Sequence, residues 1–174
     1  MESVEHVVVM GVSGSGKTTV ARLLAERSGR PFAEADDLHP AANIAKMAAA
    51  VPLTDDDRWP WLRLVRDWLT EQARAGRSTV VTCSALKAVY RDVLREAEGR
   101  VRFVQLAVPA HDLTDRLDHR VGHFMPAALL GSQLATFEAL NAHEDGVVVA
   151  SVGAPEQVGD AVVQALGPGW YEAR

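Results

Sequence analysis

Gly11-Val12-Ser13-Gly14-Ser15-Gly16-Lys17-Thr18 follows at once on the apolar run His6-Val7-Val8-Val9-Met10, so a strand feeds a loop of the pattern G-x-x-x-x-G-K-[ST]. In such a loop the glycines let the backbone curl until successive N–H groups point inward at phosphate oxygens. Lys17 then reaches the β and γ phosphates, and the Thr18 hydroxyl holds Mg²⁺. A helix beginning at about Lys17 adds the positive end of its dipole at the same place. Val20, Leu23, Leu24 and Arg27 recur at helical spacing, and Ser28-Gly29 supplies a stop. The alternative is a plain glycine turn between strand and helix. The legible strand before the loop and helix after it favour a phosphate cradle, which makes a nucleoside triphosphate the first ligand to consider.

Outward from this loop, short β-rich apolar runs recur at residues 6–10, 31–35, 79–83, 101–108 and 146–151, with helical periodicity between them. That alternation predicts a parallel sheet covered by helices on both faces, a three-layer α/β/α sandwich of five strands. Val80-Val81 and Val147-Val148-Val149 are continuously apolar, as strands buried on both sides require. Residues 41–50 and 59–75 read as helices, and in the second Trp61, Val65, Trp68, Leu69 and Gln72 share one face, which predicts core packing. Pro60 is expected in a first turn, capped by Thr54 or Asp57. Residues 87–97 read as a further helix that buries Val89, Tyr90, Val93 and Leu94. Gly167-Pro168-Gly169-Trp170 breaks any helix and reads as a tail.

The 174 residues fit one domain, and 48% hydrophobic content is enough for a sizeable core. A net charge of −5, with no basic block, argues against nucleic acid as the main partner, so an anionic substrate must be met by individually placed Arg or Lys. The single Cys83 excludes an internal disulfide framework and suits a reducing cytosol; its expected role is a small buried hydrophobe at a strand end. No signal-peptide pattern and no apolar run of membrane-spanning length is present, which predicts a cytoplasmic protein.

A triphosphate cradle does not name an acceptor. Ligands of open α/β sheets bind at the carboxyl ends of strands, and the second strand ends in Glu34-Ala35-Asp36-Asp37-Leu38-His39-Pro40. One carboxylate here can take the proton of an attacking hydroxyl while another orients Mg²⁺ through water. Helix capping by Asp36 or Asp37 is the structural alternative. After the fourth strand, Arg116-Leu117-Asp118-His119-Arg120-Val121-Gly122-His123-Phe124 carries two arginines four apart on one helix face. They can neutralise charge on a moving phosphoryl group, or simply form a solvated face, and Gly122 offers a hinge for a lid. His119 and His123 have the spacing of zinc ligands, but Arg120 stands where a zinc protease needs its glutamate and no third ligand is evident. Asp55-Asp56-Asp57 lacks the sixth-position glycine of a calcium loop, where Pro60 stands.

Taken together, these blocks resemble the bacterial-type gluconokinases of the P-loop small-molecule kinase group along nearly the whole chain. The stretches that carry the resemblance beyond the phosphate loop are Asp36-Asp37-Leu38-His39-Pro40, Asn43-Ile44-Ala45-Lys46-Met47 and Pro52-Leu53-Thr54-Asp55-Asp56-Asp57-Arg58-Trp59-Pro60-Trp61-Leu62. They continue with Cys83-Ser84-Ala85-Leu86-Lys87, Tyr90-Arg91-Asp92-Val93-Leu94-Arg95 and Arg120-Val121-Gly122-His123-Phe124. The resemblance implies MgATP-dependent phosphorylation of D-gluconate on its 6-hydroxyl, giving 6-phosphogluconate and ADP for the pentose phosphate or Entner–Doudoroff routes. It also implies the sheet order 2-3-1-4-5, an acceptor-binding helical region at about 37–76, a mobile lid at about 116–133, and a homodimer.

Residue by residue, the resemblance implies nucleotide contacts from Gly11, Ser13, Gly14, Ser15, Gly16, Lys17, Thr18 and Thr19, with Thr18 as the Mg²⁺ ligand. Arg116 and Arg120 become lid arginines, Arg116 stacking on adenine rather than touching phosphate and Arg120 acting in catalysis beside Lys17. Ser151-Val152-Gly153-Ala154-Pro155 completes the adenine pocket. Asp36 becomes the acceptor-binding carboxylate and base, His39 a ligand of a chain hydroxyl, and Arg58 and Lys87 the partners of the gluconate carboxylate. Glu34 is a departure, since related chains often carry Asp there; a water-mediated Mg²⁺ role for Glu34 has to absorb one more methylene. Two rivals stand beside this reading. One is a kinase of the same architecture acting on shikimate, a nucleoside or another sugar acid. The other is a nucleotide-binding switch, which has no need of the Asp36 to His39 cluster.

Overall fold

The computed structural model describes residues 3–109, 112, 129–168 and 170. Five parallel strands, β1 (Glu5–Met10), β2 (Phe32–Glu34), β3 (Thr79–Thr82), β4 (Arg100–Ala107) and β5 (Gly146–Ala150), form one sheet in the order β2-β3-β1-β4-β5. The described helices are α1 (Lys17–Ser28), α2 (Ala41–Ala48), α3 (Asp55–Arg74), α4 (Ala88–Arg95), α5 (Leu130–Thr136) and α6 (Pro155–Leu166), with a 3-10 turn at Ala35–Leu38. The alternation of strand and helix is that expected from the sequence pattern, and the sheet order is the one the family resemblance implies. Because β1 lies in the middle, the loop leaving its carboxyl end is flanked by the ends of β3 and β4, where ligands of such sheets bind.

The continuous apolar run of β1 follows from burial on both faces. Val8 and Met10 join Val81 and Phe103 beneath Leu62, Val65 and Leu69 of α3 and Tyr90 and Leu94 of α4. Val7 and Val9 point the other way, with Val80 and Val104, onto α1 and α6. Successive side chains of a strand alternate between faces, so covering both faces makes Val7 to Met10 apolar without alternation, while the buried His6 is satisfied by Thr79 Oγ1 and the Glu98 carbonyl.

Four expectations need correction. Val148 is 55% exposed, because β5 is an edge strand and only its other face, through Val149, is packed under α6. Val89 of α4 is exposed as well, since the helix turns Tyr90 and Leu94, not Val89, toward the core. Helix α3 starts at Asp55, four residues before the onset of its apolar period at Trp59. Thr54 Oγ1 accepts from the Asp57 N–H (3.2 Å) and the Asp57 carboxylate accepts from the Thr54 N–H (2.9 Å), a reciprocal cap, and three aspartates in the first turn meet the positive end of the dipole. Pro60 therefore sits in the second turn, on an exposed side where water can serve the carbonyl its ring leaves unbonded. Finally, the chain after Gly167 is not a tail at Trp170. That ring is 3% exposed, packs with Leu166 and Val162 in the second core, and lies 4.5 Å beneath the Arg30 guanidinium.

Candidate active site

The loop between β1 and α1 turns on three glycines with positive φ: Gly11 (148°), Gly14 (82°) and Gly16 (91°). At Gly11 the need is steric as well. A Cβ there would lie 2.8 Å from Ser15 Oγ and 3.1 Å from the Leu106 carbonyl. Lys17 Nζ donates to the carbonyls of Gly11 (2.9 Å) and Val12 (3.0 Å), so its ammonium spans the mouth of the loop. The end of β5 braces the loop from outside, since Ser151 Oγ donates to the Ser15 carbonyl at 2.8 Å. Thr18, at the start of α1, donates through Oγ1 to Glu34 at the end of β2. The cleft above these groups is partly open to solvent, and Lys17, Thr18, Asp36, His39 and Arg58 line it together.

A second wall of the cleft begins at the 3-10 turn. Trp61 reaches back from α3 to donate through Nε1 to the Ala35 carbonyl at 2.6 Å, which fixes the turn that presents Asp36. The Trp61 ring also stacks on His39, centroids 4.0 Å apart at 17°. Asn43 Nδ2 donates to the Asp57 carbonyl (2.9 Å) and lies 3.2 Å from His39 Nδ1. With Asn43 as donor, Nδ1 is the acceptor nitrogen and the imidazole proton belongs on Nε2, 3.8 Å from Asp36 Oδ1. Burial, and then the charge of Arg58, push the His39 pKa down to about 4. The imidazole is therefore neutral near pH 7 and does not form an ion pair with Asp36 there.

Arg58 projects from α3 into the cleft, donating to Tyr90 Oη at 3.1 Å with its guanidinium carbon 5.4 Å from the ring centroid. Among the described residues no carboxylate forms an ion pair with Arg58. Asp55, three residues earlier on the same helix, instead accepts from Tyr90 Oη and from Lys87 Nζ, the latter at 3.1 and 3.2 Å. The Tyr90 and Lys87 bonds hold the Asp55 carboxyl below its ordinary range. Lys87 stands behind this cluster and is not part of the cleft wall.

Ser13, Gly14, Gly16, Lys17, Thr18, Asp36, His39 and Arg58 thus meet in one cleft. Thr19 is exposed on α1, and Pro155 opens α6 beyond the end of β5; neither lines the cleft. Arg116 and Arg120, the hinge at Gly122, His119 and His123 lie outside the described residues, as does most of the expected lid segment. Cys83 is buried on the floor, where loss of hydration raises its thiol pKa to about 12, in keeping with a packing role.

Two wall residues carry no functional signal in the sequence. Gln133 of α5 is 7% exposed, and its Oε1 accepts from the Ser13 N–H at 2.7 Å. Nothing in local pattern distinguishes it from a surface glutamine. Trp61 reads correctly as core from its helical spacing, yet its ring is also a wall of the cleft.

A family profile described as an AAA domain matches residues 7–140. The gluconokinase of Gluconobacter oxydans (strain 621H) is 51% identical over 158 residues, covering 91% of this chain and 89% of that protein. Among solved structures, an unliganded sugar kinase from Janibacter sp. HTCC2649 aligns with a TM-score of 0.86 at 51% identity, over 94% of this chain and 98% of its own. A gluconokinase from Sinorhizobium meliloti 1021 aligns with a TM-score of 0.83 at 44% identity, over 95% and 93%.

Proposed function

Because this chain belongs to the gluconokinase family, we infer that it transfers the terminal phosphoryl group of ATP to the 6-hydroxyl of D-gluconate, giving 6-phosphogluconate and ADP. The observation that carries the assignment of roles is the convergence of Lys17, Asp36 and Arg58 on one cleft, since these are the cation, the base and the anion partner that the reaction needs.

The loop N–H groups and Lys17 cradle the triphosphate. Asp36 accepts the proton of the 6-hydroxyl as its oxygen bonds to the γ phosphorus and the bond to the β-phosphate oxygen breaks, releasing ADP. Arg58 pairs with the sugar-acid carboxylate through its forked donors, and His39 Nε2–H donates to a chain hydroxyl. The paired oxygens of Thr18 and Glu34 are hard donors suited to Mg²⁺, directly from the hydroxyl and through water from the carboxylate. Bound there, the ion would offset charge on the phosphates. The buried, reduced Cys83 accords with a cytoplasmic setting.

The test is a coupled ADP assay at fixed MgATP with and without D-gluconate, alongside shikimate, nucleosides and other aldonates. ADP release should depend on gluconate. A rate independent of any acceptor would favour a nucleotide switch, and a preference for another acceptor would move the substrate assignment while keeping the kinase.

A further inference from the structure

Asp55 and Arg58 occupy i and i+3 of one helix, a spacing at which opposite charges ordinarily pair. Here they do not. The Tyr90 hydroxyl stands between them, accepting from Arg58 at 3.1 Å and donating to Asp55, while Lys87 takes the Asp55 carboxylate from α4's side. Tyr90 is 1% exposed and its ring is wedged in the core with Trp59 at its edge, 5.4 Å away, so the hydroxyl is held in place. The bonds from Tyr90 and Lys87 come first in holding the Asp55 charge, and Arg58 adds only a weaker attraction from beyond ion-pair distance.

We propose that Tyr90 and Lys87 hold Asp55 away from Arg58 and so keep the guanidinium available to the carboxylate of the acceptor. Both are positioning residues that set the preference for an anionic over a neutral acceptor. Lys87 thereby serves the carboxylate at one remove, by occupying the anion that would otherwise neutralise Arg58. This deepens the proposed function and rests on Arg58 as the carboxylate's partner.

Steady-state kinetics with D-gluconate, and inhibition by the neutral six-carbon polyol D-glucitol, read this out. Tyr90→Phe keeps the ring and removes the hydroxyl. Asp55 and Arg58 can then close on each other, and the gluconate KM should rise about tenfold, the scale of a lost charge-assisted hydrogen bond, with kcat and the ATP KM changing far less. The glucitol inhibition constant should stay near the wild-type value. Lys87→Met, at the partly exposed far end, should shift the gluconate KM in the same direction. Adding Asp55→Asn to either variant should restore much of the gluconate KM, because the competing carboxylate is gone. A Tyr90→Phe defect that Asp55→Asn does not relieve, or one that moves gluconate and glucitol by the same factor, would overturn the proposal. Arg58→Met separates the two levels. If it leaves gluconate recognition intact, the reading of Arg58 itself fails; if it weakens gluconate and Tyr90→Phe does not, only the positioning by Tyr90 and Lys87 fails.

Discussion

Asp36 owes its place to a tryptophan 25 residues further along the chain. The Trp61 indole N–H grips the Ala35 carbonyl, so the carboxylate is presented by a turn that is locked from α3. In the proposed base role Asp36 would act by position and basicity, and Asp36→Asn preserves the first and removes the second. We expect that variant to fold and to bind ATP as the wild type does, with kcat lowered about a hundredfold or more. Near-normal turnover would remove Asp36 from the base role. Arg58 is singled out only by the family resemblance, whereas the phosphate loop and the carboxylate cluster at Asp36 are legible in the sequence because their signal is local, a glycine-built backbone shape and charged groups at a strand end. Gln133 and Tyr90 are not, because what marks them is the partner that tertiary structure brings from 120 residues away for Gln133 and 32 for Tyr90.

Helix α3 carries both Trp61 and Arg58, so the first turn of that helix aims a good part of the cleft wall. Its cap, Thr54 with Asp57, also receives Lys46 from α2 at 2.8 Å, which ties the two helices together. Thr54→Ala should cost about 1 kcal/mol. In thermal unfolding that corresponds to a midpoint roughly 2–4 °C lower. An unchanged midpoint would mean that the Lys46–Asp57 contact alone holds the turn. The onset of α3 escapes a reading by periodicity for a physical reason. The apolar period begins at Trp59 and Trp61, whereas the helix begins where donors are satisfied, in a polar stretch that hydrophobic spacing does not register. Val148 shows the matching limit for strands: three consecutive valines look doubly buried, yet whether a strand lies at the edge is decided by the order of the whole sheet.

At the scale of the molecule, the buried Arg91 is a rivet between distant segments. Its guanidinium, fully buried, pairs with Glu144 at 2.6 Å and donates to the carbonyls of Ala85 (2.8 Å) and Glu138 (3.0 Å). The chain returning from α5 is thereby fastened to the loop that carries Ser84 and Leu86 of the cleft. Burial opposes the Glu144 charge, but bonds from Arg91, the Asn141 backbone and Arg95 outweigh it and lower the pKa to about 2. The carboxylate's contribution to stability is therefore complete above its ordinary pKa near 4.5 and fades as pH falls toward 2. His39 has the same sign at higher pH. Held neutral when folded and protonated more readily when unfolded, it withdraws stability between about 6.5 and 4. Urea unfolding across this range should show stability falling from about pH 6.5 downward, and His39→Gln should reduce the upper part of the slope, leaving the share of His6, which burial also holds below its ordinary value, and the lower part. A wild-type profile flat down to about pH 4 would contradict the buried neutral imidazole.

Trp170 has a practical corollary for anyone handling this protein. Its indole is the stopper in the seam between α6 and the sheet, and Arg30 rests on it like a lid on a jar. Trimming the chain at Leu166, as though its final residues were a dispensable appendage, would uncork that seam and strip a guanidinium of the ring it leans on. A purification handle belongs beyond this plug, not in its place.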